Sequence, residues 1–494
     1  MQRRNLTHWA FCFGTAAVFL LMLSKNSPLY PMNDWVDVQC FLTVGKGILH
    51  GIVPYRDIYE QKGPVLYFVY ALAALISQHS FWGVFLVEIA ALGAFFHYSM
   101  EMIRLFTKDS PWLYLCLPVL AVTVCACQGY AHGGSVETLS LWILAHGLFV
   151  VLRATQNRQL LPARDAFFVG VGAAAVVYMK FTIAGFQLGL ALFVAIWYLC
   201  YEKKPLELLK TIGWFFAGFA ALTAPVVVYF LACGALGDFF TVYFYNNLFL
   251  YPTDHSDRWG LIVRCLQSAL KANGGWGFLV QAGLVWMVLH GLKNSRQSLA
   301  VLLSFLGLTV GTYWGGRGYG YYALILAAYA PLGLALFVRV AQECKLPQWA
   351  EGKGLRAAVL VAWCAVLLCV GMTNSNNTYL LGEKRENMPP YQFAQVIRQT
   401  EDPTLLNFGF LDGGFYYSAD VLPSEKFFCT LNISLSEMWS QQREAIRQGR
   451  VEFVVTRKYL LEDYGVGSNY TLVAQSSHYF EGVDFTYYLY QLNH

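Results

Sequence analysis

Seven charged side chains crowd one stretch that follows an apolar run: Asp34, Asp37, Lys46, Arg56, Asp57, Glu60 and Lys62. Farther along, Glu137, Lys180 and Arg317 stand at the ends of other apolar runs. Carboxylates in such places could deprotonate a hydroxyl or hold a divalent cation. Lys62, Lys180 and Arg317 could bind a phosphate at headgroup depth. A carboxylate beside phosphate-binding cations meets the needs of glycosyl transfer from a lipid-phosphate donor. The base activates an acceptor hydroxyl, and the cations or a metal stabilise the leaving phosphate.

Each residue also has a plainer reading. Asp34 could cap the helix that follows it. Asp57 and Glu60 could pair locally with Arg56 and Lys62. Glu137 could be a first-turn carboxylate favoured by the helix dipole. Lys180 could snorkel to the interface. Arg317, set between glycines and tyrosines, has the weakest structural excuse.

The elements that must position these groups are membrane helices. Of 494 residues, 57% are hydrophobic and 13% charged, against about 25% charged in a soluble chain. Spans of roughly 20 residues are expected near 9–24, 81–103, 112–128, 136–152, 166–180, 182–201, 211–232, 276–292, 298–314, 320–340 and 356–373. The fifth of these reads as short, about 15 residues, and broken or tilted. Alternate loops carry Arg3/Arg4, Arg104/Lys108, Arg153/Arg158/Arg164, Lys203/Lys204/Lys210, Lys293/Arg296 and Lys345/Lys353/Arg356. The positive-inside rule makes those loops and the N-terminus cytoplasmic. About eleven crossings then place the C-terminus outside. The net charge of +4 is topological and gives no sign of a nucleic-acid partner.

Two outer loops are long, 25–80 and 233–275. In the first, Val38–Leu49 reads as a short amphipathic helix ended by Gly51, and Pro64–Ile76 as an apolar helix too short to span. Composition divides the chain into a membrane domain, 1–374, and a soluble domain, 375–494. In the latter, Thr404–Phe410, Val451–Thr456 and Phe485–Gln491 read as strands. Gln392–Gln399 and Leu435–Gln448 read as helices, giving an α/β domain. No nucleotide-binding glycine pattern and no Cys/His metal spacing is present. Of the 12 cysteines, Cys40 and Cys429 fall in outer parts. They could pair only if the first loop touches the C-terminal domain; otherwise they are small buried hydrophobes.

The first loop resembles that of the GT-C superfamily of membrane glycosyltransferases, those using polyprenyl- or dolichyl-phosphate sugars. It is nearest in look to bacterial members similar to protein O-mannosyltransferases and lipid A aminoarabinose transferases. The carrying residues are Asp37, Phe41, Gly45-Lys46, Leu49 and Gly51, then Pro54-Tyr55-Arg56-Asp57 and Gln61-Lys62-Gly63-Pro64. Weaker matches are Gly133–Leu139, Lys180-Phe181-Thr182 and Gly316–Tyr322.

The resemblance implies a mainly α, polytopic helix bundle with an extracytoplasmic α/β domain in a bacterial plasma membrane. It implies inverting transfer of a monosaccharide from a polyprenyl-phosphate sugar to a hydroxyl acceptor, which could be a glycolipid, a wall polymer or a protein. Asp37 would be the catalytic base, with Asp57 and Glu137 as further catalytic carboxylates. Lys62, Arg317 and Lys180 would hold the donor phosphate. Many relatives have an Asp-Glu pair where this chain has Asp37-Val38, so a magnesium or manganese ion would need Asp34 or Glu60 as a second carboxylate, or no metal is required. The rival expectations are a lipid or polymer flippase, a transporter, or an inactive GT-C-like scaffold.

Overall fold

A computed structural model describes residues 2–251, 257–292, 295–344, 352–433, 435–480 and 482–494. Helices occupy every expected span. Along the chain they are α1 (Gln2–Leu23), α2 (Val36–Leu49), α3 (Pro64–Ile76), α4 (Trp82–Phe106), α5 (Pro111–Cys125), α6 (Val136–Gln156), α7 (Ala163–Lys180), α8 (Gly185–Ile196) and α9 (Pro205–Ala232). After them come α10 (Leu236–Phe239), α11 (Arg258–Ala272), α12 (Gly274–Gly291), α13 (Ser295–Tyr313), α14 (Ala330–Ala341) and α15 (Lys353–Asn374). Among the described residues, seven helical stretches are long and apolar enough to cross a membrane, or up to eight if the bent pair α11–α12 is one span, against the eleven expected. The protein is a multi-pass, mainly α membrane protein.

Three details differ from expectation. The fifth span begins earlier and is 18 residues long. Only the 3-10 turn Phe181–Ala184 separates it from α8. The break falls at Lys180, whose φ of −158° and ψ of 95° leave the helical region. Third, the 233–275 loop is largely helical. It holds α10, a π-helical stretch at Phe240–Leu250, and α11. Asp257 caps α11 by accepting a hydrogen bond from the Gly260 N–H. Asp254 and His255 of that loop lie outside the described residues.

The chain forms two compact units. The first comprises Met1–Ser24, Val87–Pro225 and Thr253–Thr378. In it α8 packs closely against α13, with glycines four residues apart on both helices. A Cβ on Gly185 would strike the Gly307 carbonyl, and one on Gly189 would strike that of Leu303. Apolar helices gain no hydrophobic drive from leaving lipid, so such close backbone approach is what packs them. Between α11 and α12 the chain turns by 117°. Asn273 holds that corner: its amide donates to the Ala269 carbonyl at 2.9 Å and its oxygen accepts from the Gly129 N–H at 2.7 Å.

The second unit comprises Lys25–Leu86, Val226–Pro252 and Tyr379–His494. It joins the first outer loop to the tail. The tail adds helices α16 (Pro389–Ile397), α17 (Phe415–Ala419) and α18 (Ser436–Arg447). Its strands are β1 (Leu405–Phe408), β2 (Phe453–Arg457), β3 (Tyr470–Phe480) and β4 (Val483–Leu492), in the order β1-β2-β4-β3. β1 and β2 run parallel, in the register Leu405 to Phe453, while β4 is antiparallel to both β2 and β3. Leu406, Phe408, Ile446, Val454 and Tyr490 lie in its core. The strand missed from sequence is β3. Its residues are mostly exposed, so the buried apolar run that marks β1 and β2 is absent.

Within this unit α2 packs on α3. Gly45 makes that possible, since a Cβ there would sit 2.7 Å from the Tyr70 carbonyl carbon. Gly51, with φ of +84°, ends the turn after α2, and Pro64 opens α3 at its first position.

Candidate functional site

Asp37 lies in the first turn of α2, where the helix dipole favours a carboxylate. Lys62 comes from the Gln61–Pro64 turn that leads into α3. Its Nζ stands 3.8 Å from Asp37 Oδ2, with side-chain exposures of 14% and 10%. The ammonium also lies 5.8 Å from the centre of the Phe41 ring. Thus the packing of α2 on α3 brings together a carboxylate and a cation that are separated in sequence.

Glu60 is buried beneath this pair. It accepts from the Lys62 backbone N–H at 2.9 Å and from the Tyr67 hydroxyl. Burial pushes its carboxyl up, although Lys62 and the two hydrogen bonds oppose the shift. Its oxygens serve to hold the Lys62 turn. Asp57 is also spent locally. It pairs with Arg56 at 2.7 Å and caps the Val53 N–H at 2.8 Å. The hydrogen bonds from Arg56 hold its carboxyl below the usual range. Arg56 in turn donates to the Cys233 carbonyl at 2.6 Å, so this pair shapes the turn.

Asp34 is not a helix cap: Trp35 occupies that position, without a side-chain bond. Its carboxylate instead meets Lys25 at 2.7 Å, His478 at 2.9 Å and the Tyr379 hydroxyl. Burial alone would raise its pKa, but Lys25 and His478 more than offset that and hold it well below the ordinary carboxylate range. A divalent cation does not fit there. It would have to displace Lys25, whose charge already matches Asp34. Among the described residues, the group of three metal-type ligands close together is His8, His97 and Glu101, none of them a residue expected to hold the ion.

In the first unit, Glu137 sits in the first turn of α6, which Ser135 caps by accepting from the Thr138 N–H. Lys180, at the break after α7, donates to Glu137 at 2.5 Å and lies 3.1 Å from the centre of the Tyr322 ring. Lys180 therefore does not snorkel; both partners of the pair are buried. Arg317 is half-buried in the Trp314–Tyr319 loop. That loop leads into Tyr319, Tyr321 and Tyr322; Tyr319 stacks on Tyr321, and Tyr322 meets both rings edge-on.

One residue in this unit escaped the reading of the sequence. Glu88, fully buried in α4, accepts from Ser24 Oγ at 2.6 Å, the Tyr130 hydroxyl at 2.9 Å and the Gly134 N–H at 2.6 Å. It anchors the Gly133-Gly134 turn that delivers Glu137. The signal was available, because a carboxylate inside an apolar helix is expensive and so has a job.

The chain as a whole has a GT-C-like membrane fold. The structure superimposes on that of ArnT from Cupriavidus metallidurans bound to undecaprenyl phosphate, with a TM-score of 0.60, 13% identity and 98% of each chain covered. The apo state of the same protein gives a TM-score of 0.61, at the same identity and coverage. No protein-family model matches the sequence, and no curated protein matches it.

Proposed function

We propose that the protein transfers a monosaccharide from a polyprenyl-phosphate sugar to a hydroxyl acceptor on the outer face of a bacterial plasma membrane. The N-terminus is cytoplasmic and the C-terminal domain extracytoplasmic in this reading, which rests on the positive-inside rule and the eleven crossings expected from the sequence. The observation that carries it is the largely buried pair of Asp37, at the start of α2, with Lys62, before α3. A related fold holding undecaprenyl phosphate supports the choice of donor.

In this reaction the acceptor hydroxyl attacks the anomeric carbon with inversion, and Asp37 takes its proton. The bond from the anomeric carbon to the phosphate oxygen breaks, and the lipid phosphate leaves as an anion. Lys62, Lys180 and Arg317 are the cations proposed for that phosphate. Lys62 has a second role. At rest it faces Asp37; drawn to an incoming phosphate, it leaves the carboxylate to the hydroxyl. Glu137 positions Lys180, and Glu60 positions the Lys62 turn. No metal enters the scheme, because Asp34 and Glu60 are both committed to protein partners.

The test is sugar transfer by purified protein in detergent, with a panel of labelled polyprenyl-phosphate sugars and membrane extract as acceptor. Asp37→Asn should lower transfer by about 100-fold or more without loss of folded protein. Transfer that survives the substitution would move the base to Asp57 or Glu137. A folded protein that binds lipid phosphate but transfers nothing from any donor would favour a flippase or an inactive scaffold.

A further inference from the structure

Two of the 12 cysteines face each other across the second unit. Cys40 on α2 and Cys429, between α17 and α18, are 389 positions apart in sequence, and their sulfurs stand 3.8 Å apart. Both side chains are buried. They sit in one continuous seam of the second unit. Along the same face of α2, Thr43 donates to Asp412 at 2.7 Å and Lys46 to Asp420 at 2.8 Å. Spacings of three residues put Cys40, Thr43 and Lys46 one above another on that face. No histidine or third thiol joins the pair in a metal-type cluster among the described residues. The gap remaining to a bond of about 2.05 Å is of the size that side-chain rotation closes.

We propose that Cys40 and Cys429 are joined by a disulfide in the native protein, stapling α2 to the C-terminal domain. The inference rests on the outer placement of both segments proposed above, since disulfides persist in oxidising compartments. The two thiols release two protons and two electrons as the S–S bond forms. The acceptor is the disulfide of a thiol–disulfide exchange protein, which becomes a dithiol. Burial pushes the Cys40 thiol well above its ordinary range and raises that of Cys429 as well. Thiolate is therefore scarce once the seam has closed, so exchange takes place while the segments are still open to solvent. The bond would lie one helical turn from Asp37 and hold the element that carries the proposed base.

The experiment uses the full chain in membranes from an expression host with an oxidising periplasm. Free thiols are blocked with maleimide before solubilisation, and the protein is digested without reductant and mapped by mass. A cross-linked pair of peptides containing Cys40 and Cys429 is expected, lost on reduction and absent from Cys40→Ser. In parallel, Ser440→Cys, an exposed position on α18, is probed in intact cells with an impermeant maleimide. Labelling of that position while Cys40 and Cys429 are recovered singly blocked would overturn the disulfide with the topology intact. Labelling only after the cells are broken would overturn the topology, and the disulfide with it.

Discussion

Asp34 and Asp37 stand three residues apart, and the structure gives them opposite work. Asp34→Asn keeps shape and removes charge. It leaves the Lys25 ammonium, 1% exposed, without the carboxylate that lies 2.7 Å away. Lys25 cannot swing to water easily, because its Nζ is also 5.0 Å from the ring centres of Tyr379 and Phe480. Breaking one side of a buried pair costs about 3–5 kcal/mol. Asp34→Asn should therefore lower the thermal midpoint of the purified protein clearly, while transfer per folded molecule persists. Removing both charges in Lys25→Met with Asp34→Leu should recover most of the loss, since the stranded charge is gone.

The pH dependence has a defined sign. A carboxyl held below its unfolded pKa contributes its stability above that value and loses it as pH falls through the folded one. The wild-type contribution should thus be complete above about pH 4 to 5 and fall progressively as the pH drops below that. Unfolding in detergent, followed by intrinsic fluorescence beside the sugar-transfer assay, separates the two residues. An Asp34→Asn protein as stable as wild type but unable to transfer sugar would refute the assignment and return Asp34 to the chemistry.

Other outcomes follow from the same physics. Burial raises the Asp412 carboxyl to about 6, despite hydrogen bonds from Thr43, the Gly414 N–H and Asn407, so the wild type should lose about 3 kcal/mol as pH rises from 4 to above 6. Asp412→Asn should flatten that slope in unfolding curves taken across the range. Lys180→Met strands buried Glu137 and should destabilise by about 3–5 kcal/mol; adding Glu137→Gln should restore stability but not lipid-phosphate binding, measured by titration. Glu88→Ala leaves the Tyr130 hydroxyl and the Gly134 N–H without their acceptor, at about 1–3 kcal/mol each, and should lower both the thermal midpoint and transfer. Gly45→Ala should cost about 1–3 kcal/mol through overpacking of α2 on α3, read as the same thermal shift.

The sequence by itself determined the helices and pointed to most of the charged groups of the candidate site. Long apolar runs have few other stable forms, because lipid leaves backbone groups no partners but each other. That is why each expected span carries a helix, and why α2 and α3 could be placed within two residues. Charges near such runs are costly, which drew attention to Asp37, Lys62, Glu137 and Lys180. The tertiary structure decided which of those charges meet. Asp37 faces Lys62 because α2 packs on α3 through Gly45, and Asp34 turns away because Lys25 and His478 converge on it from distant positions. Cys40 faces Cys429 because the first loop and the tail share one compact unit. Local spacing records helix faces and strand alternation. Encounters across hundreds of residues depend on how those faces pack, and a single sequence carries no periodic trace of that.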